Sequence, residues 1–423
     1  MKSKAKKLKG TARRIDVEVP KKKVDSTLEE ILGDIKRSVR VNGFRQGKAP
    51  MDMIRREYMQ EAREELKKKL IPEAYQQALR DNDIAPVSYP QLSDVLLHPD
   101  GSLRFSATVD ASPEVKLKKY KGIKVKAGKI SVKDKEIEDA LGQIRNMNAE
   151  FNDIDRPLKK GDFAVCDAQM SCGGEMISAK RENMWIEVDK ESSLFGVGAE
   201  LEGLKKGDEK DAEVELPEEY ANKEYAGKKA VMHIIIKQTK EKVLPEINDD
   251  LASKVGKKNI EEVKQEISSQ LLQRKEADLA ADLKNQVAQK LLKDTSFEVP
   301  ATMVKRQLEV LLKQYESDLE RKGVDKNTIQ QNRPELEKKL EKTAREKVKL
   351  YFILDAIADK ENIEIKESEV DDWLKALAGS YNKKFEEVKK YYREHDLLQG
   401  VAEELREAKT LDMLVEEAEK NIK

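Results

Sequence analysis

From Leu244-Pro245-Glu246-Ile247-Asn248-Asp249 onward the chain keeps one texture, charged, helix-periodic and almost without breaks, and this limits the C-terminal part to helices packed on helices. Charged residues make up 39% of the whole and aromatics only 5%, a balance that suits long solvated helices better than compact sandwiches. The periodicity predicts helices near Ile260 to Asp294, Pro300 to Lys322, Pro334 to Lys360, Ser368 to Ala378, Phe385 to His395 and Leu397 to Asn421. Pro300 and Pro334 are read as helix starts and Lys322-Gly323 as a stop. Leu308, Leu311, Leu312, Tyr315 and Leu319 give one helix an apolar stripe, which fits core packing or contact with a bound chain.

The region before it differs. Arg13 to Val17 reads as a strand, Val24 to Val39 as a helix, and Met51 to about Asp81 as a second helix. Asp100-Gly101 is a hairpin signal between Val95-Leu96-Leu97 and the alternating run Leu103 to Val109. Two helices bracketed by strands predict a small α+β domain over 1–111. A linker over 112–150 follows: an extended piece opened by Pro113, then a helix to about Met147, with Ser131 as its cap and Asp134 three residues on. Between Phe151 and Lys240, glycines and β-formers rise, with strands at Phe163-Ala164-Val165 and Val231 to Ile236. The expected organisation is 1–111, 112–150, 151–240 and a helical 241–423, in line with a length of 423 residues.

Several function classes find no footing. Cys166 and Cys172 stand alone, which argues against a zinc site or disulfide framework and for a reducing, cytoplasmic setting. The basic first ten residues have no apolar run behind them, so they do not read as a signal peptide, and no stretch approaches the roughly 18 apolar residues of a membrane span. His98, His233 and His395 lie beside no nucleophile motif, no phosphate-cradling loop is present, and no cofactor is expected.

One segment stands out: Asn42-Gly43-Phe44-Arg45-Gln46-Gly47-Lys48-Ala49-Pro50 places a single ring between two glycines and two cations, closed by a proline. An exposed ring flanked by cations suits a partner that is part protein and part phosphate; the alternative is a turn between helices whose Phe packs inward. Met1 to Pro50 holds 15 Lys+Arg against 6 Asp+Glu in a chain of zero net charge, which favours an anionic partner. The segment matches Gly-Phe-Arg-x-Gly-Lys-x-Pro, the signature loop of the trigger factor family, at every signature position from Gly43 to Pro50. The chain therefore resembles trigger factor, the ribosome-associated chaperone of bacteria, over essentially its whole length.

The resemblance implies a ribosome-docking domain with Gly43, Phe44, Arg45, Gln46, Gly47 and Lys48 as its contact residues, an isomerase-like domain of the FKBP type, and a helical C-terminal domain with projecting arms. It implies docking on a ribosomal protein and ribosomal RNA beside the exit tunnel, nascent and unfolded polypeptides as clients, and self-association off the ribosome. Roles in cell division and protein transport go with the family. Phe195 to Glu209 resembles the short helix and turn of the FKBP-type prolyl isomerases, and Pro217 to Tyr220 with Tyr225 to Lys228 their pocket-rim loop.

Such an enzyme needs no acid, base or metal, only an apolar pocket that lowers a barrier of about 20 kcal/mol by taking the prolyl amide out of water and gripping it twisted. Carried over by resemblance, the pocket positions are Ala168, Met176, Trp185, Tyr220 and Met232, with Leu194 and Val197 on the short helix. Only Trp185 and Tyr220 keep a ring, and the family's acidic residue beside the bulge is Ile177, so weakened catalysis is expected. Trp185 and Tyr220 can equally be ordinary core and rim residues. The expected function is an ATP-independent ribosome-associated chaperone. Two rivals are a prolyl isomerase acting mainly as an enzyme, and a helical scaffold whose basic end binds nucleic acid nonspecifically.

Overall fold

The computed structural model describes residues 1–189, 196–217, 224–322 and 324–422. They divide into two compact units, Met1–Gly128 with Leu279–Lys423, and Lys129–Asp278. No helix among the described residues is long and apolar enough to cross a membrane.

The first unit opens with β1 (Lys2–Lys7), β2 (Ala12–Val19), α1 (Lys21–Ser38), α2 (Met51–Asp81), β3 (Gln91–Leu97) and β4 (Leu103–Asp110). The four strands form an antiparallel sheet in the order β1-β2-β4-β3. Its inner face supplies Ile15, Val17, Leu103, Phe105 and Ala107, packed against Leu32, Ile54, Leu66 and Leu70 of the two helices. The outer face is polar, and there Arg14 holds Asp16 at 2.9 Å. The basic first residues form edge strand β1, where exposed lysines discourage pairing with foreign strands.

Next come β5 (Lys124–Ala127), α3 (Asp134–Met147), β6 (Glu150–Asp153), β7 (Phe163–Cys172), β8 (Glu175–Met176), β9 (Arg181–Glu187), a 3-10 turn at Val197–Leu201, β10 (Glu209–Glu215), β11 (Lys229–Val243), α4 (Asp249–Lys254) and α5 (Ile260–Asp294). A sheet of order β10-β11-β7-β8, with β6 on β11 and β9 on β7, forms the middle of the second unit. Its core face carries Ala164, Cys166, Ala168, Met232, Ile234 and Ile236, closed by Val197 and Leu201 of the turn. Helix α3 is not capped by Ser131 as expected; it starts after Lys133, whose backbone N–H donates to the Glu136 carboxylate at 2.9 Å. That acceptor satisfies an end-of-helix donor from inside the first turn, so the hydroxyl is not needed.

The chain ends with α6 (Ala301–Arg321), α7 (Lys326–Lys360), α8 (Glu367–Ser380), α9 (Phe385–Glu394), α10 (Leu398–Glu416) and β12 (Glu419–Ile422). Two expectations fail here. Pro334 lies inside α7, which begins two turns earlier, because the Asp325 carboxylate caps Asn327 N at 2.9 Å and Thr328 N at 3.2 Å. A strong cap outweighs the one backbone hydrogen bond a proline removes. The last helix stops at Glu416 instead of reaching Asn421, and β12 pairs in parallel with β5. As a strand, the terminal segment satisfies backbone groups of β5 that helix could not reach.

The expected linker contributes core. Tyr120, Ile123, Val125 and Ala127 are buried with Leu283, Val287, Ile353, Leu354 and Leu414. The Tyr120 hydroxyl donates to Glu361 at 2.8 Å. Helices α6 and α7 pair lengthwise, and Arg333 of α7 contacts Glu309 at 3.0 Å, Glu316 at 2.9 Å and Glu337 at 3.2 Å.

Candidate functional site

The loop between α1 and α2 is two consecutive tight turns. Phe44 N donates to Val41 O at 3.0 Å and Lys48 N to Arg45 O at 2.9 Å, while Gly43 and Gly47 take φ of +85° and +81°. L side chains rarely adopt these angles, which is why glycine recurs four residues apart. Val41 and Ala49 are buried and anchor both ends, so the turns between them cannot collapse inward. Phe44 is left 41% exposed. Arg45 and Lys48 are exposed and make no ion pair among the described residues. From Lys36 to Lys48 there are five cations and no carboxylate. The inward-packed alternative for Phe44 is therefore not what this structure has. Gln46 differs from its neighbours: its Nε2 donates to Arg37 O and Ser38 O, each at 3.1 Å.

The expected isomerase pocket residues are not all brought together. Ala168, Met232 and Val197 are buried within the same core. Met176 is 61% exposed on the short strand β8. Trp185 pairs with Val165, and its neighbour Ile186 is the one that enters the core, so the indole lies on the opposite face of the sheet. There it meets Phe151 edge-on at 5.1 Å and Phe163 at 6.2 Å, under Lys240 Nζ at 5.7 Å. Leu194 and Tyr220 lie outside the described residues. Ile177 packs against the core.

On that outer face Asp167 is almost fully buried between Lys180 Nζ at 2.9 Å and Lys237 Nζ at 3.1 Å. The Lys180 contact, with help from Lys237 and the Asn183 N–H, outweighs burial and holds its carboxyl down at about 2. Sequence reasoning missed a second group. The Ser171 hydroxyl lies 2.8 Å from His233 Nε2, and His233 Nδ1 lies 2.6 Å from Asp211, so three neighbouring strands carry a Ser-His-Asp chain of contacts. Strand register alone makes it, and no linear motif announces it. Ser171 is only 8% exposed while Asp211 is open to solvent, an arrangement that bars a substrate carbonyl from the hydroxyl and ties strands together instead.

Apolar side chains are also left open on the helices. Leu312 of α6 is buried, whereas Val310 and Tyr315 are more than 40% exposed, as are Tyr381, Tyr391 and Leu397 further on. The stripe predicted on α6 is thus divided between core and surface.

Two family models match the chain, one described as bacterial trigger factor protein over residues 1–144 and one as the C-terminus of that protein over residues 259–416. The trigger factor of Geotalea daltonii is 30% identical over 97% of this chain and 96% of its own. That of Natranaerobius thermophilus is 31% identical over 96% and 93%. A solved structure described as "Promiscuous Substrate Recognition in Folding and Assembly Activities of the Trigger Factor Chaperone" aligns over 98% of this chain and 99% of its own, at 19% identity and a TM-score of 0.47. The chain belongs to the bacterial trigger factor family.

Proposed function

We propose that this protein docks beside the exit tunnel through Gly43 to Lys48, touching a ribosomal protein with Phe44 and ribosomal RNA with Arg45 and Lys48, and that it works in the cytoplasm without ATP. As a trigger factor it is a ribosome-associated chaperone for newly made chains. The observation that carries the docking proposal is the half-exposed Phe44, held out by two glycine turns and flanked by cations with no acidic neighbour from Lys36 to Lys48. Domains over 1–111, 151–240 and 241–423 would divide docking, prolyl-peptide contact and client capture among them. Exposed apolar side chains on the helices offer weak, reversible holds, which add up once the ribosome keeps client and chaperone close. Prolyl isomerisation is expected to be feeble, because Met176 and Trp185 do not share the core face of Ala168 and Met232. Self-association off the ribosome is part of the proposal. Co-sedimentation with ribosomes tests docking: replacing Phe44, Arg45 and Gln46 together by Ala is expected to abolish it, and unchanged co-sedimentation would overturn it.

A further inference from the structure

The chain holds a single Asn-Gly, Asn42-Gly43, at the entry to the loop between α1 and α2. Asparagine is one of the thermally labile residues. The backbone nitrogen that follows it can attack its side-chain amide, and three features leave that attack open here. The Asn42 side chain is exposed and makes no hydrogen bond among the described residues. By contrast, Asn82, Asn146 and Asn148 donate to helix carbonyls, and Asn248 and Asn259 accept from backbone N–H groups. The Gly43 N–H is equally unengaged among the described residues, and no atom beyond its chain neighbours lies within 4 Å of where a Cβ would stand, so the nitrogen has room. Finally, the five cations from Lys36 to Lys48, with no carboxylate among them, favour loss of the amide proton that makes this nitrogen a nucleophile.

We propose that Asn42 is a site of spontaneous deamidation, and that its conversion to isoaspartate releases the loop from the ribosome. The consequence rests on the docking reading above; the chemistry does not. Gly43 N bonds to Asn42 Cγ, the Cγ–Nδ2 bond breaks, and Nδ2 leaves as ammonia with the proton that Gly43 gave up. Water then opens the resulting succinimide at either carbonyl. Opening at Cγ gives aspartate; opening at the main-chain carbonyl gives isoaspartate, whose backbone runs through the former side chain and is longer by one carbon. The turn that sets out Phe44 closes across this bond, with Phe44 N donating to Val41 O at 3.0 Å and Val41 buried. An extra backbone carbon between that anchor and Phe44 breaks the turn and turns the ring away. The product also puts the first carboxylate into the basic stretch, opposed to an anionic partner.

The test incubates the full chain at mildly alkaline pH and body temperature, samples it over days, and maps its peptides by mass spectrometry with fragmentation that separates isoaspartate from aspartate. Conversion at residue 42 is expected to run several-fold faster than at any other asparagine. Partly converted protein is then mixed with ribosomes and sedimented, and the isoaspartate form is expected to be depleted several-fold from the pellet. Asn42→Gln, whose longer side chain closes a ring far more slowly, should pellet like the unaltered protein and keep doing so after incubation. Conversion at residue 42 no faster than elsewhere overturns the inference, as does isoaspartate equally frequent in pellet and supernatant, or an equal loss of pelleting by the incubated Asn42→Gln protein. Failure of fresh protein to pellet removes the docking reading and the consequence with it, while the peptide map still decides whether Asn42 is the labile site.

Discussion

The Gln46 side-chain amide lies against the end of α1, donating to the carbonyl oxygens of both Arg37 and Ser38 at 3.1 Å. The last carbonyls of a helix have no partner within it, so this residue of the loop between α1 and α2 braces the scaffold while the Phe44 and Arg45 side chains remain free of it.

The three loop side chains should therefore separate by assay. Phe44→Ala and Arg45→Ala are expected to weaken ribosome binding at least tenfold with no change in denaturation midpoint, as for an aromatic anchor and a charge that act only on a partner. Gln46→Ala is expected to lower folding stability by about 0.5–1.5 kcal/mol, the range of an ordinary hydrogen bond. Denaturant melts beside co-sedimentation give both readings, and a Phe44→Ala protein as destabilised as Gln46→Ala would mean the ring serves the fold.

A second brace joins segments far apart in sequence. Asp110 at the end of β4 accepts from Thr302 N at 3.1 Å and Thr302 Oγ1 at 2.6 Å, and its other oxygen accepts from Thr11 Oγ1 at 3.0 Å. With Asp110 buried, loss of the Thr302 hydroxyl leaves a charged acceptor short of a donor, at a cost of about 1–3 kcal/mol. Thr302→Val should lower the denaturant midpoint and speed amide exchange in the first turn of α6. An unchanged midpoint would show that water replaces the hydroxyl there.

Asp167 gives a pH signature. Its carboxyl sits near 2, below the ordinary range, because Lys180 and Lys237 favour the charged form. The contribution is then complete above about pH 4, where the unfolded carboxyl is also ionised, and is lost as pH falls through 2. Asp167→Asn should destabilise the sheet of the second unit at neutral pH and flatten its acid transition. Equal slopes in the two proteins between pH 4 and 2 would remove the lysine cage as the cause.

Much of this was legible in the sequence, and the failures share a cause. Helices α2 and α5 were readable to their end residues, since a 3.6-residue stripe repeated over 31 and 35 residues leaves little freedom in placing it. The loop was readable because glycines, cations and proline all act locally. Pro334, the β12 strand, the face taken by Trp185 and the Ser171-His233-Asp211 contacts were not, because residues outside the local pattern decide each. An Asp325 cap competes with a proline, a strand near residue 124 needs a mate, and register sets which residues share a face.

Client capture is expected to persist without residues 151–240. The exposed apolar side chains Val310, Tyr315, Tyr381, Tyr391 and Leu397 all lie beyond that segment. The excision is also mild for the backbone, because Glu150 pairs with Val243 and Phe151 with Lys242, so the chain on either side of the removed segment already lies on adjacent strands. A short Gly-Ser join should then leave α3, α4 and α5 packed through Leu141, Ala252, Val263 and Ile267. At about 25 cal/mol per Å², a few hundred Å² of client contact yields several kcal/mol before ordering costs, enough for transient capture. The shortened protein should still suppress aggregation of a denatured client. Complete loss of suppression, with helical circular dichroism retained, would place the client site in the excised sheet, where Phe151, Met176, Trp185 and Ile235 are the large exposed apolar side chains among the described residues to test next.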